Sequence, residues 1–202
     1  MPWWPIWVED TAGPRNSQYP TDPYTFTHFC HGAIFYLILY ACTLNHGWKF
    51  LIAVGLETLW EVVENSKWVI NIFRAGGASP NYKGDSIMNS IGDVIACGAG
   101  YAIFIPLGWK AAIVYVVTSE ICLMLLIRDS LILIWVQMIC NPACLQNWQA
   151  ERINRLYGGQ DQSDNTDQTK PADSIITEAQ PHFEEREFAL LPHGMTIYLL
   201  PK

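Results

Sequence analysis

Carboxylates stand in this sequence where few chains can carry them. Glu57, Glu61 and Glu64 lie inside the apolar run from Trp48 to Phe73, Asp85 and Asp93 open the next run, and Glu120 interrupts a third. A carboxylate at membrane depth costs about 3 kcal/mol or more, so such residues face a bundle interior and mark a pathway, a metal or a catalytic centre. Their spacing is helical: Glu57, Glu61 and Glu64 are i, i+4, i+7, Asp85, Asn89 and Asp93 step by four, and His28 with His31 are i, i+3. Imidazoles and carboxylates converging from neighbouring helices form a donor set for Zn, Fe or Mn rather than for a thiolate-selective metal. The candidate ligands are His28, His31, Glu61, Glu64, Asp85, Asn89, Asp93 and Glu120. Glu57, Glu61, Glu64 and Asp85 are the candidates for acid–base work, with Arg128 placed for an anionic group such as phosphate.

Each of these residues also has a plainer reading. Two histidines at a helix start can be interfacial, Glu61 and Glu64 can reach a surface along their own stems, and Asp85 after Gly84 can cap the next helix. Arg128 can serve only to neutralise Glu120 or Asp129, and Asn89 can be helix-to-helix glue. Glu57 and Glu120 resist such readings because both lie far from a helix end.

The elements that must position these groups follow from composition. Half of the 202 residues are hydrophobic and 15% are charged, against roughly 25% charged in an ordinary soluble domain. A membrane-spanning helix needs about 20 mostly apolar residues. Four segments qualify: about Thr27 to Leu44, Trp48 to Ile72, Ser86 to Leu107 and Trp109 to Ile127. Asn45-His46-Gly47 and Pro106-Leu107-Gly108 make tight turns, and Arg74 to Gly84, with its glycines and Pro80, is a longer connector. A fifth apolar stretch, Leu131 to Cys140, is too short to span and stops at Asn141-Pro142, as a re-entrant or surface-lying helix does.

The expected architecture is therefore an all-α, polytopic transmembrane helix bundle of four spanning helices plus a short fifth apolar helix. Residues 1–26 form a segment rich in tryptophan (Trp3, Trp4, Trp7) suited to the membrane interface, 27–150 the bundle, and 151–202 a polar acidic tail, partly disordered. The tail holds nine of the nineteen acidic residues, so the net charge of −7 says little about partners; no basic patch argues for nucleic acid. None of the six cysteines sits in a Cys-x-x-Cys pair, and most read as small apolar packing residues.

Depth along the helices gathers the polar residues. If the N-terminal side is side A, His28 and His31 start the first helix there, and the second returns toward A with Glu57 near mid-membrane and Glu61 and Glu64 closer. The third leaves A with Asp85, Asn89 and Asp93, and the fourth comes back with Glu120 partway and Arg128 at its end. The other half, with Ile34, Leu37, Val54, Ile103 and Val114, is apolar. Side A also collects Arg15, Lys67, Arg74, Lys83, Arg128, Arg152 and Arg155 against Lys49 and Lys110 on side B, which places A in the cytoplasm.

At these residues the chain resembles a known family. Asn16-Ser17-Gln18, Thr21-Asp22, Tyr24-Thr25, His28, His31-Gly32, Glu57 with Trp60-Glu61-Val62-Val63-Glu64-Asn65-Ser66, Tyr82 with Gly84-Asp85-Ser86 and Asn89-Ser90, Asp93, Glu120 and Ile127-Arg128-Asp129 carry the likeness. Together they are similar to domain of unknown function 2585, an uncharacterised family of small bacterial, mostly alphaproteobacterial, membrane proteins, over about residues 15–150. The resemblance implies a multi-pass protein of the inner membrane and brings no activity. A weaker analogy joins the Trp-Glu-x-x-Glu-Asn and Gly-Asp-Ser-x-x-Asn-Ser-x-x-Asp patterns to VanZ-like membrane proteins.

The leading functional expectation is an intramembrane His/Glu/Asp site, binding a divalent metal (Zn, Fe or Mn) or catalysing a reaction on a lipid-type or lipid-soluble substrate. A rival from another class is a non-catalytic accessory subunit of a larger membrane complex, or a homo-oligomer, in which the polar network only fixes packing. A third is a proton or small-solute conduit. In each the lipid bilayer is the first partner.

Overall fold

The computed structural model describes residues 6–157. Among them are six helices and no strand, only an isolated bridge between Trp7 and Thr21: α1 Thr25–Leu39, α2 His46–Glu64, α3 Lys67–Gly76, α4 Ile87–Ile127, α5 Leu131–Ile139 and α6 Ala143–Tyr157. The all-helical class is as expected. Four spans are not shown: α4 is the one helix among the described residues long and apolar enough to cross a membrane.

The differences have local causes. The expected second span divides because Asn65 ends α2, and the side chain of Ser66 then accepts from the Val69 N–H and starts α3. The expected third and fourth helices are the two arms of α4, parted at Gly108, whose φ of 82° and ψ of 170° lie outside helical space. Phe104 and Tyr115 show how far the chain turns there. Their rings lie 5.6 Å apart, whereas eleven residues of unbroken helix would advance about 16 Å. Pro106, unable to donate to the preceding turn, contributes to the break.

α1 packs along α4. Close approach is permitted by Gly32, where a Cβ would collide with the Cys97 carbonyl, and by Gly100, where it would collide with the Phe29 carbonyl. One end of the bundle is filled by Ala33, Tyr36, Ala53, Tyr101, Phe104 and Ala112. This aromatic core replaces the aliphatic lining expected there, since Ile103 and Val114 are 47% and 65% exposed and point outward. They are not exceptions. Leu51, Leu59 and Val62 of α2, Ile91 and Ile95 of the first arm and Val117 and Leu125 of the second are also exposed, while Glu57, Asn89 and Asp93 are buried. The polarity is the reverse of a water-soluble bundle, and continuous apolar surface of this kind marks contact with lipid or protein.

The other end is closed by loops. Gln18 Nε2 donates to the Gly84 carbonyl (2.9 Å), the Ser86 N–H to the Ser17 carbonyl (2.9 Å), Asn81 Nδ2 to the Ala12 carbonyl (2.8 Å), and the Tyr24 hydroxyl to Asp129 (3.1 Å). Residues 6–24 thus form part of a folded cover over this end. Trp7 stacks edge-on against Phe26 at 6.2 Å; Trp3 and Trp4 fall outside the described residues.

The acidic tail expected from residue 151 begins inside α6, whose Gln149 is buried and bonded to Gln137 (2.7 Å). The expected disorder further on lies outside the described residues. α5, at nine residues, advances about 14 Å, the short fifth helix expected, and buries Leu131, Ile134 and Gln137.

Candidate metal centre

Helix periodicity brings the predicted residues to the loop-covered end. His28 and His31 lie one turn apart on α1 and face Glu57 of α2. His28 Nδ1 is 2.5 Å from Glu57 Oε1, and His31 Nδ1 is 2.9 Å from Glu57 Oε2. One turn further along α2, Glu61 Oε1 stands 3.4 Å from His28 Nδ1, and from α4 Asp93 Oδ2 stands 3.9 Å from His28 Nε2. His28 is therefore the hub. Two groups have ligand atoms that all lie within 4.8 Å of one another and could hold a metal ion: His28, His31 and Glu57, and His28, Glu61 and Glu64.

Glu57 was placed among the acid–base residues and not among the ligands; the geometry makes it the carboxylate shared by both imidazoles. The unsatisfied atoms are on its neighbours. Both carboxylate oxygens of Glu61 and Oε2 of Glu64 are buried without a well-formed hydrogen bond, although Ser90 and the His28 imidazole, at 3.4 Å, stand near Glu61. Buried carboxylate oxygens are seldom left this way, because each forfeits its hydration without replacement.

Asp85 and Asn89 stand next to this cluster rather than in it. Asn65 grips Asp85 twice, its Nδ2 donating to Oδ2 (2.8 Å) and its Oδ1 accepting from the Asp85 N–H (2.6 Å), while the Tyr82 hydroxyl donates to Oδ1 (2.9 Å). Ser86, not Asp85, caps the helix that follows, accepting from the Asn89 N–H. Asn89 Nδ2 donates to the Tyr19 carbonyl at 2.8 Å. Both residues line a cavity with His28, Glu64, Asp93 and Asp129, with about 20 Å³ open to the centre of a water-sized sphere. That is room for a single water. Sequence reasoning passed over Asn65 and Tyr82 as site residues, although Asn65 is i+4 from Glu61 and both belong to the quoted motifs.

Two expected members sit elsewhere. Glu120 is buried, but its oxygens accept from the N–H groups of Leu131 (3.1 Å) and Ile132 (2.9 Å). It caps the start of α5, which explains a carboxylate far from its own helix end. Glu120→Ala should therefore lower thermal stability by about 1–2 kcal/mol, measured by unfolding in detergent, by orphaning two buried donors. Arg128, in left-handed backbone conformation at the end of α4, turns away from the cluster: it bonds Glu151 (2.9 Å) and the Trp148 carbonyl and lies over the Trp148 ring at 5.1 Å. It ties α6 to the bundle.

Beneath the loops, burial raises the carboxyls of Asp22 and Asp85, and it pushes Asp129 up to about 7 against the donated bonds from Tyr24 and Ser130. A folded-state value above the ordinary one near 4 means the fold binds the proton better than the unfolded chain. Asp129 thus contributes stability that is complete below about pH 4 and lost as pH rises through about 7. The unfolding midpoint should fall between about pH 4 and 7, and Asp129→Asn should flatten that slope; an unchanged slope would discount Asp129 as its source.

Comparison with known proteins agrees with the motifs. A family model described as protein of unknown function (DUF2585) matches residues 3–151. Relatives printed as UPF0314 proteins include one from Paracoccus denitrificans, 35% identical over 147 residues covering 72% of this chain and 76% of the relative. One from Brucella anthropi is 35% identical over 138 residues (67% and 70%), and one from Sphingopyxis alaskensis 31% identical over 147 (72% and 78%). No solved structure matches.

Proposed function

We propose, for a chain that belongs to the family described as protein of unknown function (DUF2585), an integral protein of the bacterial inner membrane whose buried cluster binds a divalent metal ion and acts on a lipid-soluble substrate. The observation that carries this is the set of three buried carboxylate oxygens on Glu61 and Glu64 that lack a well-formed hydrogen bond beside His28. A cation is the partner such oxygens lack, and two imidazoles with three carboxylates suit Zn, Fe or Mn.

The outward apolar side chains of α1, α2 and both arms of α4 support membrane insertion, with these four elements as the crossings. Each arm of α4 is about 20 residues, or about 30 Å, the thickness of the hydrocarbon layer. The loop-covered end carries the basic residues and faces the cytoplasm.

The chain's own groups divide the work. Glu57 lies between both imidazoles at their Nδ1 atoms and is the carboxylate of the His28, His31 and Glu57 ligand group. Glu61 and Glu64 supply the negative charge, and Asp93 and Asp85 line the adjoining water-sized cavity and can pass protons to it. A bound ion supplies Lewis acidity toward water or a substrate oxygen.

Elemental analysis of the purified full-length protein tests the proposal. A stoichiometric divalent ion, lost on chelation, is the expected result. Protein that is free of metal and indifferent to chelators and to added Zn, Fe or Mn would end it.

A further inference from the structure

His31 belongs to two features at once. Its Nδ1 bonds Glu57 inside the cluster, and its ring forms one end of an open groove of about 420 Å³ between α1, α2 and α5. The other nine lining residues are apolar, among them Ile34, Ile38, Leu56, Leu59 and Trp135. The volume lies within the range of about 300–1,000 Å³ for small-molecule sites, and one polar group in an apolar lining is their usual composition. Aromatic rings wall the end next to the cluster: Trp60 meets His31 edge-on at 6.0 Å and lies tilted against Trp135 at 5.8 Å.

The groove has a direction. On α1 it runs from His31 through Ile34 and Phe35 to Ile38, about 10 Å along the helix axis, and on α2 Val63, Leu59 and Leu56 run beside it over a similar length. Its long axis is therefore that of the helices, the direction in which lipid chains lie in a bilayer. Its one polar residue is at the end nearer the start of α1, about 9 Å below Thr25 and so near the boundary of the hydrocarbon layer. The far end, at Ile38 and Leu56, is exposed and apolar.

We propose that this groove holds the acyl chain of a bilayer glycerophospholipid, with the ester end of the lipid against His31. The inference rests on the membrane-embedded metal site proposed above and names its substrate class. Chain direction, apolar lining and a lone polar terminus match an acyl lipid, which carries its polar group at one end only. A soluble substrate would leave this lining unused.

The test uses the full chain in vesicles of phosphatidylethanolamine and phosphatidylglycerol containing a phosphatidylethanolamine with a photoactivatable acyl chain, with crosslinks mapped by peptide mass spectrometry. Labelling at Ile34, Ile38 and Trp135 should exceed that at the equally lipid-facing Val114 and Leu125 by about tenfold, the ratio that 1.4 kcal/mol of preferential residence gives. Leu56→Trp with Leu59→Trp, two exposed positions that fill the groove, should bring it down to the level of Val114 with metal content unchanged; retained metal also reports that the variant folds. Uniform labelling of all apolar faces, labelling indifferent to the filled groove, or a co-purifying protein that shields these positions would each overturn the lipid site. Selective labelling of protein that never binds metal would leave the groove standing and remove the metal reading, whereas bound metal with uniform labelling does the opposite.

Discussion

Replacing His28 by alanine should reduce metal affinity by at least about 100-fold, since even partners one step removed from a ligand cost 10- to 100-fold when lost. The reason is topological. His28 is the one residue common to both groups of ligand atoms, so its loss dismantles the His28, His31 and Glu57 set and the His28, Glu61 and Glu64 set together. His31→Ala breaks only the first. The expected order of affinity by calorimetry is wild type, then His31→Ala, then His28→Ala, with Glu120→Ala equal to wild type because that carboxylate caps α5 instead. If His28→Ala bound metal as wild type does, the ion would lie elsewhere and the cluster would be a packing network. His28→Gln, which keeps a hydrogen-bonding group of similar reach toward Glu57, separates a lost ligand from a merely damaged fold.

Depth was legible in the sequence; rotation and neighbours were not. Counting residues from each helix end puts His28, His31, Glu57, Glu61, Glu64 and Asp93 in the same half of the bundle, and the structure brings the other five together around the His28 imidazole. Glu120 shares that half, but it faces the first N–H groups of α5, whose exposed donors attract any nearby carboxylate. No pattern in the α4 sequence encodes where α5 begins in space. Arg128 stands apart for a related reason: its partner Glu151 is the first residue of the segment that reads by composition as a tail, and the left-handed turn at Arg128 that redirects the side chain is a tertiary outcome. The break between α2 and α3 carried a signal, the Asn65-Ser66 pair with Ser66 as a cap, which the apolar run to Ile72 outweighed. The turn at Gly108 was read directly, since glycine after proline at the middle of a long apolar run is a strong local instruction.

Removing the proposed ion should cost more stability than any single substitution away from the cluster. A ligand that binds only the folded chain stabilises it by RT ln(1 + [L]/Kd), about 4 kcal/mol at a thousandfold excess over Kd. Here the apo state carries a further penalty, because Glu57, Glu61 and Glu64 stand within a few turns of one helix face and three of their neighbouring oxygens are buried without a well-formed hydrogen bond. Chelation should lower the unfolding midpoint markedly, and readdition of the ion should restore it. Neutralising the two unsatisfied carboxylates with Glu61→Gln and Glu64→Gln inverts the result: the metal-free variant should be more stable than metal-free wild type, because repulsion with Glu57 is gone, yet added metal should no longer raise its midpoint. This crossing of the two curves is specific to an ion site. A purely structural polar network would lose stability in the double variant with and without metal alike, and wild-type protein whose midpoint ignores both chelator and added ion would remove the metal from the account.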